Sequence, residues 1–496
     1  MTTTATTPSY DDALAAFWPE RRPLNLVGGA WTETRNRSAS VDPSTGAAYT
    51  DVPDSSREEV DGAIAAAEAA QPTWAALTVS ERAAHLSRFR ELLAVHGEDL
   101  ALLESIDSGN PLASTRRDVG LALRYLTEWP GIALASTGRM TRPHADGISL
   151  VSFEPYGVVG KIIAFNHPSL FAIAGFIFPL LAGNTMVIKA AAQTPVATLA
   201  LGALVAEALP AGVVNIVSGG VQAGDAIVVH PRVKRIAFTG SDRTAVAIQA
   251  RLSESGVVKH FSAELGGKNP FVICADADID EAAAAAFAGL SFTVSAGQSC
   301  QSTARILVHA SVHDEVVERL AARMRSLSLG AAYAPDTEMG PLVSAAQTES
   351  VLDHIASAVA EGATLVTGGS RVEADGYFVE PTLVTNVTSG MRVAREEIFG
   401  PVAIVQSWTT EDEVVALANE TDLGLSAAVW TRDIDRALRL STAIRAGYVW
   451  VNDANRHYPG SPFGGMKGSG IGREESAEEF GSYSEAKSIN IKVRPS

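Results

Sequence analysis

From residue 155 onward the chain repeats one pattern: a short apolar run, then a longer stretch with apolar residues three and four apart. The runs Val158–Phe165, Met186–Lys189, Val213–Val217, Arg235–Phe238 and Val257–Glu264 read as strands, and 194–208, 223–230 and 243–254 as the helices between them. Strands apolar on both faces and joined by helices belong to parallel sheets covered on both sides. A second series follows. Phe271–Cys274, Ala304–His309, Pro401–Val405, Ala427–Trp430 and Tyr448–Asn452 predict strands, and 279–290, 311–328, 343–361, 411–419 and 433–444 predict helices. The expected fold class is therefore α/β, with two parallel-sheet domains meeting near residue 262. Upstream, 57–72 and 80–96 predict helices; in the second, Ala83, Leu86, Phe89 and Leu93 share a face and Ser80 is the expected N-cap. Met140–Phe153 and Tyr483–Val493 read as extended segments without a helix partner, suited to a small separate sheet.

Composition narrows the function classes. A net charge of −17 argues against a nucleic-acid or anionic-membrane binder. Two cysteines, Cys274 and Cys300, are no disulfide framework for 496 residues and fit a reducing compartment, so a cytoplasmic location is expected. The start, with its Thr-rich first residues expected to be disordered, lacks the basic and apolar regions of a secretory signal. Leu170–Gly183, the most apolar stretch, falls short of the ~20 residues a membrane span needs and reads as a buried core element.

Four segments could carry chemistry. In Phe292-Thr-Val-Ser-Ala-Gly-Gln-Ser-Cys300 a thiol sits among small polar neighbours that would let a carbonyl approach, although position alone favours a half-buried structural cysteine. Cys274, inside Phe271-Val-Ile-Cys274, is assigned to the core. In Glu264-Leu-Gly-Gly-Lys-Asn-Pro270 a carboxylate ends a strand before two glycines, where it could be a general base or simply a solvated Glu. Asn166, in Ile163-Ala-Phe-Asn166-His-Pro168, stands where α/β sheets place ligand contacts; it could donate to an oxyanion or merely form a turn. Lys189 ends a strand, Gly240-Ser241 opens a helix as a phosphate-binding turn would, and Glu396-Glu397-Ile-Phe399 offers a ribose acceptor and an aromatic ring. No Gly-x-Gly-x-x-Gly lies at a strand-to-helix turn, and no metal site is predicted.

Together these segments resemble the aldehyde dehydrogenase superfamily from about Asn25-Leu-Val-Gly-Gly-Ala-Trp31 to Ile491. The most specific stretches are Glu264-Leu-Gly-Gly-Lys268, Gly297-Gln-Ser-Cys300, Glu397-Ile-Phe-Gly-Pro401 and Pro462-Phe-Gly-Gly-Met-Lys-Gly-Ser-Gly-Ile-Gly-Arg-Glu474. The resemblance implies a Rossmann-like cofactor domain (1–131 and 154–262), a catalytic domain (263–476) and β segments for oligomerisation (132–153 and 477–496), in a homodimer or homotetramer. It implies oxidation of an aldehyde to a carboxylic acid with NAD⁺ or NADP⁺. Cys300 would form the thiohemiacetal and thioester, Asn166 would hold the oxyanion, and Glu264 would activate the hydrolytic water. Phe165, Lys189, Ala192, Gly240, Ser241, Leu265, Glu397 and Phe399 would contact the cofactor, and His167, Phe171, Arg456, His457 and Phe463 would line the aldehyde tunnel.

Two departures bear on function. Many relatives have a Glu three residues after the cofactor lysine; Ala192 stands here, which lowers the penalty for a 2′-phosphate and predicts dual use or a lean toward NADP⁺. Many carry a Lys nine residues after the oxyanion Asn; Gly175 stands here, so proton movement from the general base is expected to use water or to slow. Ala174 and Val294 replace larger residues and predict a wide tunnel, while Arg456 and the two histidines could meet an anionic tail or face solvent. The alternatives are a CoA-acylating semialdehyde dehydrogenase and a catalytically silent homologue kept for binding or structure.

Overall fold

A computed structural model describes residues 9–493. The first sheet has eight strands, ordered Ala30–Thr32, Asn25–Val27, Val214–Val217, Thr185–Lys189, Val158–Ile162, Val233–Thr239, His260–Glu264 and Gly470–Ile471. The five central strands are parallel; the three outer ones are antiparallel to their neighbours. The second sheet has seven strands, ordered Thr364–Thr367, Thr382–Thr385, Val402–Trp408, Arg305–His309, Pro270–Ile273, Ser426–Trp430 and Tyr448–Val451, parallel except for its first pair. A three-stranded antiparallel sheet joins Ser484–Lys492 to the hairpin Arg139–His144 and Gly147–Pro155. Among the described residues no helix is long and apolar enough to cross a membrane.

Register explains where function can sit. Ile162 pairs with Lys189, Lys189 with Val217, and Thr239 with Glu264. The C-terminal ends of the central strands thus form one level edge, and the loops that leave it carry Asn166, Lys189, Gly240 and Glu264. This is the edge where open α/β sheets bind ligands.

Several boundaries differ from the sequence reading, each for a local reason. The strand expected to reach Phe165 stops at Ile162, and the chain turns to start the helix Pro168–Leu181 with proline in its first turn. The strand expected from Val257 begins at His260, after Gly256 turns the chain with φ +71°. The helix predicted at 80–96 runs Val79–Ser108 and ends at Gly109, φ +79°; its N-cap is Thr78, in a capping box with Glu81, not Ser80. The helix Leu112–Ala135 and the early strands Arg37–Asp42 and Ala47–Pro53 were not foreseen. The Thr-rich first residues lie outside the described ones.

Leu170–Gly183 belongs to the helix Pro168–Leu181, in which nearly every side chain is buried. It shows no amphipathic face because it is covered all round. Phe178 stacks on Trp129 at 4.8 Å, Trp129 stacks on Tyr125 at 4.3 Å, and Phe176 meets Phe89 edge-on at 5.1 Å. Trp129 is 1% exposed and its indole N–H has no partner, so its contribution is packing alone. Trp129→Ala should destabilise the fold by about 3–5 kcal/mol, seen as a lower midpoint in thermal or denaturant unfolding. An unchanged midpoint would contradict this packing account.

Candidate active site

A cavity of about 590 Å³ opens along the C-terminal edge of the first sheet. Phe165, Asn166, Phe171, Lys189, Ala192, Gly240, Ser241, Glu264, Leu265, Cys300, Glu397 and Phe399 all line it. Chain segments more than 200 residues apart therefore meet in one groove, which both the thiol and the strand-end carboxyl line.

Cys300 is carried on a loop after the short helix Phe292–Ser295. Ala296 and Gly297 turn that loop with φ of +51° and +75°. A Cβ on Gly297 would lie 2.2 Å from the Gly400 carbonyl oxygen, so only glycine lets this loop seat against the Glu397–Pro401 segment. Asn269 anchors the loop: its Nδ2 donates to the carbonyls of Cys300 (2.7 Å) and Ser302 (3.0 Å), while its Oδ1 accepts the Ser426 N–H. Gln298 donates to the Ser295 carbonyl and accepts the Val343 N–H. Burial, then the nearby Glu397 and Glu264, pushes the Cys300 thiol above the usual range. Cys274 is buried at a strand end of the second sheet, and burial pushes its thiol up to about 12.

Glu264 closes its strand, and its carbonyl accepts the Gly240 N–H. Both of its carboxyl oxygens are buried without a hydrogen-bond partner. Such an atom usually marks a missing ligand or water. Burial, with a further contribution from Glu474, holds the carboxyl well above the ordinary range. Asn166 is buried, and its carbonyl accepts a 2.7 Å bond from Asn110 Nδ2, which fixes the turn that aims its amide.

The rest of the groove suits a dinucleotide. At Gly220 and Gly224 an added Cβ would meet no protein atom closer than 3.9 Å, so bare backbone faces open groove. Ser241 caps the helix Asp242–Leu252, whose N-terminus faces the same space and favours an anion. Lys189 is buried, and burial lowers its ammonium to about 8. Glu397 accepts the Gly267 N–H at 3.0 Å; a Cβ on Gly266 would lie 2.1 Å from its Oε2. Burial raises the Glu397 carboxyl to about 7. Phe399, with φ +54°, meets Phe165 edge-on at 5.6 Å, and Gln347 Nε2 donates to its carbonyl. No group of metal-ligating side chains occurs among the described residues.

The tunnel residues are less uniform. Phe171 reaches the cavity; His167, Arg456, His457 and Phe463 do not line it. His167 Nδ1 sits 2.7 Å from Asp118, which outweighs burial and raises the imidazole above its usual value. His457 is held between Glu475 (2.9 Å) and the side chain of Gln301 (2.7 Å), the residue after Cys300. Phe463 packs on His457 at 4.8 Å. Arg456 is exposed with its guanidinium over the Tyr458 ring. Asn269, Gln347 and Asn110 escaped the sequence reading. Asn269 at least lay inside the quoted Glu264–Pro270 motif; the other two carry no local signal.

Groove and closed end together fit a class of enzyme that moves hydride to a dinucleotide from a carbonyl adduct on a thiol. Comparison with known proteins agrees. Residues 31–489 match the sequence model of the Aldehyde dehydrogenase family. Aldehyde dehydrogenase tropH of Talaromyces stipitatus is 39% identical over 94% of this chain and 92% of its own. The NAD⁺ complex of aldehyde dehydrogenase from Bacillus cereus superposes with a TM-score of 0.95 at 36% identity, covering 99% and 100% of the two chains. An NADP-dependent enzyme of E. coli gives 0.92 at 34%, covering 95% and 98%. The chain belongs to the aldehyde dehydrogenase family and is an NAD(P)-dependent enzyme that oxidises aldehydes.

Gly266→Ala should push Glu397 off its Gly267 N–H and weaken cofactor binding on the order of tenfold, read by titration of protein fluorescence with NAD⁺. Equal affinity in the variant would mean that Glu397 does not hold the cofactor.

Proposed function

We propose that Cys300 is the nucleophile, Asn166 the oxyanion donor and Glu264 the general base of a hydrolytic aldehyde dehydrogenase. Cys300 Sγ gives its proton to water in the groove and bonds to the aldehyde carbon, and the carbonyl electron pair moves onto the oxygen of the adduct. The Asn166 amide and the Cys300 backbone N–H stabilise that oxygen. A bound nicotinamide supplies the hydride acceptor, and a thioester remains on Cys300. Glu264 then takes a proton from water as the water oxygen attacks the acyl carbon and the bond to Sγ breaks. The observation that carries this reading is the buried, unpartnered carboxyl of Glu264 lining the same cavity as Cys300. It favours hydrolysis over transfer to an external thiol.

The cofactor would lie with its riboses at Lys189 and Glu397, its diphosphate at Gly240-Ser241 and its nicotinamide near Phe165, Leu265 and Phe399. Ala192 at the groove puts no carboxylate beside a 2′-phosphate, which supports use of NADP⁺ at least as readily as NAD⁺. Residues 1–131 and 154–262 would act as the cofactor domain and 263–476 as the catalytic domain. The segments 132–153 and 477–496 would pair copies into a dimer or tetramer. Exposed Phe153, Ile489 and Ile491 on their small sheet, and its uncovered edge strand, support that assembly. Two free cysteines support a cytoplasmic location. Small Ala174 and Val294 support a wide tunnel for the aldehyde, rimmed by His167 and by the His457–Phe463 pair.

Stopped-flow absorbance tests the roles. Glu264→Gln should release about one reduced nicotinamide per site in a burst and then turn over at least ~100-fold more slowly. Cys300→Ser should show no burst. A Glu264→Gln enzyme with full steady-state turnover would remove the general-base assignment. The base acts as carboxylate and its pKa is raised, so wild-type kcat should fall as pH drops through neutrality and climb on the alkaline side.

Ala192→Glu should shift the ratio of kcat/KM values toward NAD⁺ by on the order of tenfold or more. A wild-type enzyme that already rejects NADP⁺ would contradict the cofactor reading.

A further inference from the structure

Lys161 lies in the middle of the first sheet, on the strand Val158–Ile162, and its side chain is 2% exposed. A lysine in that position needs both space and a counter-charge. Gly175, on the helix Pro168–Leu181 that covers the strand, gives the space: a Cβ there would stand 2.8 Å from Lys161 Cε and 3.3 Å from its Cγ and Cδ. Glu474 gives the counter-charge. Lys161 Nζ donates to Glu474 Oε1 at 3.1 Å and makes a longer contact with Thr239 Oγ1 at 3.4 Å. Glu474 is fixed in turn, because its backbone exchanges both hydrogen bonds with Phe463. Gly464, next in the same turn, would place a Cβ 2.8 Å from Glu264 Oε1. Lys161, the half-buried Glu474 and Glu264 therefore lie close together at the cavity.

The charges there are unbalanced without Lys161. The charges that act on Glu264 are Glu474, Lys161, Arg473 and Glu479, and Cys300 lines the same cavity; those that act on Lys161 are Glu474, Tyr483 and Glu479. Of the two cations, Arg473 spends its guanidinium on the carbonyls of Gly465 and Gly472, partly in solvent. Lys161 is the cation buried inside the carboxylate group.

We propose that Lys161 is a positioning residue for the hydrolytic step: it holds Glu474 beside Glu264 and offsets the repulsion among the buried carboxylates, so that Glu264 can ionise and pass its proton outward. In that step the water oxygen bonds to the acyl carbon, the carbon–Sγ bond breaks with its electron pair on sulfur, and the water proton goes to Glu264. The proton is then given up to water in the cavity that Glu264 lines. Gly175 is the complement of this lysine. On this proposal the cation that Gly175 does not carry comes from the strand below, whereas Gly175 alone predicts water-mediated or slower proton movement.

The inference rests on Glu264 as base, and the test separates the two. Lys161→Met should keep the burst of reduced nicotinamide but shift the kcat–pH profile upward by about one unit or more, as loss of an adjacent opposite charge predicts. At neutral pH kcat should fall roughly tenfold and recover in alkali. Lys161→Gln keeps more of the shape and polarity; it is the variant to read if Lys161→Met does not fold. Adding Gly175→Lys to Lys161→Met returns an ammonium from the facing helix and should move the profile back. Superimposable pH profiles for wild type and folded Lys161 variants would overturn the proposal, as would loss of the burst together with kcat. If Glu264→Gln fails to stall after its burst, the base assignment fails instead, whatever Lys161 does.

Discussion

The catalytic end of this enzyme depends on a seam of bare backbone between its two sheets. Gly297 seats against the Gly400 carbonyl and Gly266 against the Glu397 carboxylate, at separations no Cβ tolerates. These contacts bring the loop of Cys300, the strand end of Glu264 and the Glu397–Phe399 segment to one cavity. Close backbone approach is also what lets Asn269 pin the Cys300 carbonyl from within the Glu264–Pro270 motif. The glycines thus do more than permit tight turns; they set the distance between nucleophile, base and cofactor groove.

Burial is the second constraint. Removed from water, Cys300, Glu264 and Glu397 all drift toward their neutral forms, and Lys189 loses some of its hold on its proton. On the proposed mechanism the sulfur becomes anionic against a carbonyl whose oxygen is met by fixed donors, and the Glu264 carboxylate forms near Lys161. Such preorganised partners are effective in this dry setting because no solvent must rearrange. Loss of an oxyanion donor such as Asn166 would cost about 2.7–4 kcal/mol of barrier on this reasoning.

Much of this was legible in the sequence, because alternation of apolar runs and helical spacing is local. Both parallel sheets, the small sheet, the buried Cys274 and the twelve residues that line one cavity follow from such patterns and from the motif resemblance. What stayed hidden depends on contacts between distant segments. The helix Pro168–Leu181 reads as featureless because it is enclosed on every side. Asn110 and Gln347 hold the site through backbone carbonyls, which leave no mark on the sequence around them. Lys161 looked like an ordinary strand residue. Its meaning emerged only when Gly175 was seen above it and Glu474 beside it.

The most direct test of the account is mass spectrometry of the acyl intermediate. Glu264→Gln enzyme, mixed with aldehyde and NAD(P)⁺ and quenched in acid, should carry an adduct on the peptide that contains Cys300. Its added mass should equal that of the aldehyde less a hydride and a proton. An adduct on the Cys274 peptide, or none on either cysteine while reduced nicotinamide accumulates, would contradict the assignment of Cys300 as the group that carries the acyl chain.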